Sequence, residues 1–255
     1  MDCSIPKNTK LINHQKIDST NEEAKRYLLA NEALDDNDIV AITSNIQSHG
    51  KGRLGRVWQS EEGNLFLSLI VKPNCDFKDF GQLSFISSIA LRRAICGLLD
   101  DTCQRKVTLK WPNDVLLDNK KVAGILLESL SLNSQLPNHI IIGIGVNIKS
   151  YPKDIENYNA TCIKDFNDKV TRDIFLDKFL NLFNDCFKSW QQFGFADFKE
   201  YWQTNAKDVG HKISLNDGLK TISGIFKGIN CEGEIILIGE DNKIMKFSSG
   251  EVSFS

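Results

Sequence analysis

Val107-Thr108-Leu109-Lys110-Trp111-Pro112-Asn113-Asp114-Val115-Leu116-Leu117-Asp118-Asn119-Lys120-Lys121-Val122-Ala123-Gly124-Ile125-Leu126-Leu127-Glu128 sets three apolar runs between turn signals. Pro112-Asn113-Asp114 separates the first run from the second, and Asp118-Asn119-Lys120 has the make-up of a hairpin tip. Strands joined this tightly return antiparallel, because a parallel crossover needs a dozen or more residues. His139 to Ile148 adds a fourth run. The stretch therefore predicts an α+β fold built on a mixed, mostly antiparallel sheet, with helices packed on a face.

Upstream, Leu11 to Ile17, Asp38 to Thr43 and Asn64 to Val71 read as further strands. Leu83, Ile86, Ala90, Ala94 and Leu98 recur at helical spacing, which predicts an amphipathic helix over 80–99. Downstream, Phe175, Phe179, Leu182, Phe183, Cys186, Trp190 and Phe193 define a helix starting near Thr171, with a second helical piece over 195–202. That aromatic stripe reads as core. After Lys207 the text changes to short strands with Gly and Asn turns, a small all-β barrel of about fifty residues, a size that is marginal alone. The expected division is 1–207 and 208–255.

The chain of 255 residues is 41% hydrophobic and 25% charged with a net charge of −2, the profile of a globular protein and not of a polycation. Seven cysteines are scattered without a Cys-x-x-Cys pair, and the four histidines lack metal-ligand spacing, so no metal site is expected from side-chain motifs. No apolar run reaches membrane-spanning length, and Met1 to Lys7 lacks the core of a signal peptide. The expectation is a cytoplasmic protein that engages no membrane.

Against that neutral background stands Gln47-Ser48-His49-Gly50-Lys51-Gly52-Arg53-Leu54-Gly55-Arg56-Val57-Trp58, in which glycines alternate with cations and no acid intervenes. Glycine permits close backbone approach, exposed N–H groups form anion-binding concavities, and Lys and Arg add full charges. A phosphate-binding loop and a basic surface loop both fit. Earlier, Asp18-Ser19-Thr20-Asn21-Glu22-Glu23 reads as a helix start, with Thr20 and Glu23 or Ser19 and Glu22 at capping-box spacing. A plain capped helix fits; so does a helix N-terminus offering directional donors to a ligand.

Ser19-Thr20-Asn21, the Gly50 to Trp58 loop, Lys110-Trp111-Pro112-Asn113-Asp114, Lys121-Val122-Ala123-Gly124-Ile125-Leu126 and Gly143-Ile144-Gly145-Val146-Asn147 follow one another in an order that resembles the biotin protein ligases. The resemblance covers nearly the whole chain. It implies a catalytic domain similar to the class II synthetases, followed by an SH3-like barrel. It also implies a two-step reaction: biotin and ATP give biotinyl-5′-AMP and pyrophosphate, and a lysine of the biotin carboxyl carrier protein of acetyl-CoA carboxylase then takes the biotinyl group. Adenylation of an ionised carboxylate needs no protein nucleophile; it needs charge neutralised, reactants aligned and water kept out. By the resemblance, Ser19, Thr20, Asn21 and Gln47 hold biotin's polar ring. Lys51, Gly52 and Arg53 close over carboxylate and phosphates, and Lys121 bridges biotin's carboxylate and the α-phosphate. Arg53 and Lys121 are thus the catalytic pair. Trp58 either stacks on adenine or anchors the loop. Asn113, Asp114 and Asn147 could place the nucleotide or Mg²⁺, which travels with ATP phosphates; Asp114 could equally fix a turn.

The loop departs from the commonest family form, Gly-Arg-Gly-Arg-Arg-Gly. Lys51 stands at the first arginine and keeps charge without bidentate geometry, while Leu54 at the third loses the charge. Some relatives carry an N-terminal DNA-binding domain; eighteen residues precede Ser19, so no repressor function and no DNA binding are expected. A homodimer is open. The competing readings are a lipoate–protein ligase, which shares the adenylate strategy, and a nucleic-acid-binding regulator, suggested by the cationic loop and the small barrel.

Overall fold

Strand β3 (Leu65–Val71) is apolar at six of its seven positions and buried along its whole length, so the sheet around it needs cover on both faces. A computed structural model describes residues 5–30, 34–35, 38–130, 139–152 and 159–254. Its main sheet also contains β1 (Thr9–Ile17), β2 (Ile39–Gln47), β4 (Val107–Lys110), β5 (Asp114–Leu117), β6 (Lys120–Leu130) and β7 (His139–Val146). The order is β1-β2-β3-β7-β6-β5-β4, with β1 and β2 parallel and every other pair antiparallel.

Helix α1 (Thr20–Ala30) covers one face, where Ala24 and Leu28 meet Val40, Ile42, Ile70 and Ile141. The other face takes α2 (Gln82–Cys96), the short α3 (Asp101–Gln104), α4 (Arg172–Phe193) and α5 (Ala196–Asn205). The sequence places helices on a face; the structure uses both, because β2 alternates Ile39 and Ala41 toward one side with Val40 and Ile42 toward the other. The aromatic stripe of α4 is core, with Phe175, Phe179, Phe183 and Phe187 fully buried. Asp118 and Asn119, with φ of 51° and 62°, make the tight turn between β5 and β6.

The capping box expected at α1 does not form. The Thr20 hydroxyl donates to Gln47 Oε1 at 3.1 Å, and Glu23 pairs with Arg26. The first turn of α1 is turned toward the cleft instead of back on itself.

Beyond α5, β8 (Lys212–Asn216), β9 (Thr221–Ile229), β10 (Ile235–Ile238), β11 (Ile244–Phe247) and β12 (Glu251–Phe254) form a five-stranded antiparallel sheet ordered β11-β10-β9-β8-β12. Ile213, Leu215, Phe226, Ile229, Ile235, Leu237 and Val252 belong to the same buried cluster as α2 and α4.

Candidate active site

One register row across the main sheet lays the floor. Ser44 of β2 pairs with Phe66 of β3, Phe66 with Gly145 of β7, Gly145 with Gly124 of β6, Gly124 with Asp114 of β5, and Asp114 with Lys110 of β4. Residues in one row share a face. The two central glycines make a hollow, and the Trp58 indole lies in it: a Cβ on Gly145 would collide with the indole, and one on Gly124 would stand 3.0 Å from Cζ3. In the neighbouring row Gly143 makes the same allowance for the Asn21 amide. Trp58 Nε1 is buried and has no hydrogen-bond partner among the described residues.

Lys121 reaches this floor because β6 carries a bulge. Val115 pairs with Ala123 but Leu116 pairs with Lys121, leaving Val122 extra. Val122 and Ala123 are both buried in the core on the other side. The extra residue reverses the alternation, so Lys121 and Gly124 face the same way, and Lys121 Cε would touch a Cβ on Gly124 at 3.1 Å. Lys121 Nζ stands 2.7 Å from Asp114 Oδ1 and 5.4 Å from the centre of the Trp58 ring.

The glycine loop arches over this floor. Lys51 bridges to Val57, Gly52 N–H donates to Arg56 O at 2.7 Å, and Trp58 N–H donates to Gly50 O at 2.9 Å. Leu54 sits at φ 57°, in the left-handed region, with its side chain 76% exposed, away from the cavity that the loop covers. Arg53 points inward and donates to Asn113 Oδ1 at 3.0 Å. Arg53, from the loop, and Lys121, from β6, therefore converge on the consecutive residues Asn113 and Asp114. Asn113 is itself held by Nδ2–H to Ile125 O at 2.6 Å.

At the other end of the cleft the groups are neutral. Gln47 Oε1 accepts from Thr20 N–H at 2.8 Å and from the Thr20 hydroxyl, while Gln47 Nε2 donates to Ser60 Oγ at 3.2 Å. The Ser68 hydroxyl lies between Thr20 Oγ1, at 2.8 Å, and Asn21 Oδ1. Ser19, Thr20 and Asn21 are all buried.

The half-open cleft measures about 730 Å³. Its charged lining consists of Lys51, Arg53, Arg56, Lys110, Lys121 and Lys207 against Asp114 and Glu251, six cations to two carboxylates in a chain of net charge −2. Burial pushes the Arg53 guanidinium and the Lys110 ammonium below their ordinary pKa values. Strand β12 closes this end: Glu251 pairs with Arg56, and the Phe254 ring lies 5.2 Å from Lys110 Nζ and 4.6 Å from Lys207 Nζ.

The biotin/lipoate A/B protein ligase family model matches residues 14–147, and the biotin protein ligase C-terminal domain matches 210–255. A biotin–[acetyl-CoA-carboxylase] ligase of Paracoccus denitrificans is 33% identical over 231 residues, 88% of this chain and 92% of its own. The chain belongs to the biotin protein ligase family. The bifunctional ligase/repressor BirA of Bacillus subtilis is 28% identical over 95% of this chain and 73% of its own. The biotin protein ligase of Aquifex aeolicus, solved in complex with biotin and ATP, superposes with a TM-score of 0.78 at 30% identity, covering 96% of this chain and 97% of that one.

Of the residues that the resemblance to biotin protein ligases singles out, Ser19, Thr20, Asn21, Gln47, Lys51, Gly52, Arg53, Trp58, Asn113 and Lys121 all line the one cavity. Asn147 does not: it is buried just past the end of β7, its Nδ2–H donating to Thr161 O at 3.1 Å. Sequence reasoning left out Lys110, Ser68 and the β12 edge. Alternation along Val107 to Lys110 places Lys110 opposite the core residues Val107 and Leu109, a signal that was present; nothing local to Ser253 or Phe254 signals that β12 closes a distant cleft. Among the described residues no cluster of three His, Cys, Asp or Glu side chains is placed to hold a metal.

Proposed function

We propose that this chain activates biotin with ATP and transfers it to a lysine of a biotin carboxyl carrier protein. What carries the reading is the convergence of Arg53 and Lys121, from a loop and a bulged strand, on Asn113-Asp114, beside a neutral pocket of hydroxyls and carboxamides. A neutral pocket of paired donors and acceptors suits an uncharged ureido ring, and a cationic end suits phosphates. The C-terminal match and the named relatives favour biotin over lipoate.

In the first step the biotin carboxylate oxygen bonds to the α-phosphorus of ATP, the Pα–O bond to the β-phosphate breaks, and pyrophosphate leaves. Lys121 and Arg53 neutralise charge shared between the two reactants, and the loop excludes water that would hydrolyse the mixed anhydride. The burial of Arg53 makes an incoming polyphosphate a better partner for it than solvent. In the second step an acceptor amine attacks the acyl carbon, AMP departs, and the amine loses a proton. Mg²⁺ normally keeps few protein ligands and rides on nucleotide phosphates. Two carboxylates at the cationic end, Asp114 and Glu251, each already paired with a cation, fit that habit, and the ion would supply further charge neutralisation. Segment 208–255 serves as a second unit that walls the nucleotide end through β12.

ATP–pyrophosphate exchange tests the reading: exchange should require biotin and should not respond to lipoate. Exchange that is absent with biotin, or equal with lipoate, would overturn it.

A further inference from the structure

Glu128 lies outside the cavity, yet its carboxylate holds one end of a cavity residue. Asn21 Nδ2–H donates to Glu128 Oε2 at 2.6 Å, and Lys25 Nζ donates to Glu128 Oε1 at 2.7 Å. Lys25 is bound in turn to Glu22 at 2.9 Å, and Glu22 also takes the loop residue Lys51. Burial pulls the Lys25 ammonium down, but the hydrogen bonds it donates to Glu128 and Glu22 outweigh it and leave its pKa raised; the Glu128 carboxylate thus has a cationic donor on one oxygen and the Asn21 amide on the other.

An ionised carboxylate only accepts. It can therefore be satisfied by the Nδ2 end of Asn21 and never by the Oδ1 end. We propose that Glu128 is a positioning residue that fixes the Asn21 amide with its oxygen pole toward Ser68 and Thr20, so that Asn21 meets the ligand as an acceptor for a ureido N–H. The flipped amide would set two acceptors, Asn21 Oδ1 and Glu128, against each other. Packing cannot choose between the poles, because oxygen and NH₂ are nearly equal in size; both lie over the glycine at 143, where a Cβ would leave room for neither. Hydrogen-bond polarity chooses, and Glu128 imposes it.

The inference rests on the biotin reading, and titration calorimetry with biotin alone, without ATP, separates the two. No binding of biotin by the wild-type protein would overturn that reading together with this inference. Glu128→Gln keeps the shape but lets position 128 donate as well as accept, so both amide orientations become allowed. Biotin should bind about tenfold more weakly, with the melting temperature unchanged and with kcat and the KM for ATP unchanged in the exchange assay. The double variant Asn21→Asp with Glu128→Gln reverses the donor between the two positions but again leaves an oxygen facing Ser68, and it should recover most of the lost affinity. If wild type binds biotin and Glu128→Gln binds it equally well, the inference alone fails. It fails too if the double variant restores the melting temperature of a destabilised Glu128→Gln protein without restoring affinity.

Discussion

Arg53 and Lys121 illustrate what single residues contribute. Arg53 is a cation that burial leaves poorly hydrated and Lys121 one that is paired with Asp114, both where negative charge would accumulate between a carboxylate and an α-phosphate. Removing either by Ala should cost about 3 kcal/mol of transition-state stabilisation, on the order of a hundredfold in kcat, read by pyrophosphate exchange. Full activity in both variants would refute their assigned roles. Lys51 makes a different prediction. Its pairing with Glu22, seconded by Lys25, holds the Glu22 carboxyl below its ordinary value near 4.5. A depressed carboxyl contributes stability that is complete above the unfolded value and disappears as pH falls through the folded one. Lys51→Met should therefore raise the Glu22 pKa in an NMR carboxyl titration and shrink the acid-side loss of stability below pH 4.5. An unchanged Glu22 titration would mean the loop does not rest on α1 in solution.

Among the elements, β6 and β7 matter most, because a bulge and three glycines turn an ordinary antiparallel pair into a binding floor. Gly145 and Gly124 oppose each other under the Trp58 indole, but only Gly145 is in hard contact with it. Gly145→Ala should expel the indole, shift Trp58 fluorescence and abolish exchange; Gly124→Ala, whose Cβ needs only a few tenths of an ångström, should be milder. Equal effects would show that the indole does not occupy the hollow. Much of this was legible in the residues: hairpin turns, the apolar periodicity of α2 and α4, and the order of the cationic loop, the Lys110 to Asp114 turn and Lys121. The bulge was not. A lysine followed by two apolar residues looks like a regular strand, and only pairing with Leu116 and Val115 reveals that Val122 is extra. Asn147 was hard to place for the converse reason. A polar residue just past a strand, beside Gly145, looks like a ligand contact, whereas here its Nδ2–H donates to Thr161 O and it does not line the cavity.

For the whole molecule, the question is whether the C-terminal sheet is a separate body. Composition changes at Lys207, and a barrel of that size would be marginal alone. The contacts argue for dependence: Trp111 Nε1–H donates to Gly233 O at 3.0 Å, Gln82 Nε2–H to Cys231 O at 3.0 Å, and Ile229 N–H to Gln203 Oε1 at 2.9 Å. Phe85 of α2 packs edge-on against Trp202 of α5 at 5.2 Å beneath the turn that carries Gly233. Buried apolar residues of β8, β9, β10 and β12 are continuous with those of α2 and α4, so parting the units would expose one core on both sides. Calorimetry should accordingly show a single unfolding transition. Trp111→Phe leaves the Gly233 carbonyl buried without its donor, a loss of about 1 to 3 kcal/mol. At about 2 to 4 °C per kcal/mol for a chain of this size, the whole transition should move down by several degrees without splitting. Two transitions, with only the smaller one moved by Trp111→Phe, would show that the C-terminal sheet folds independently and that β12 reaches the nucleotide end by docking.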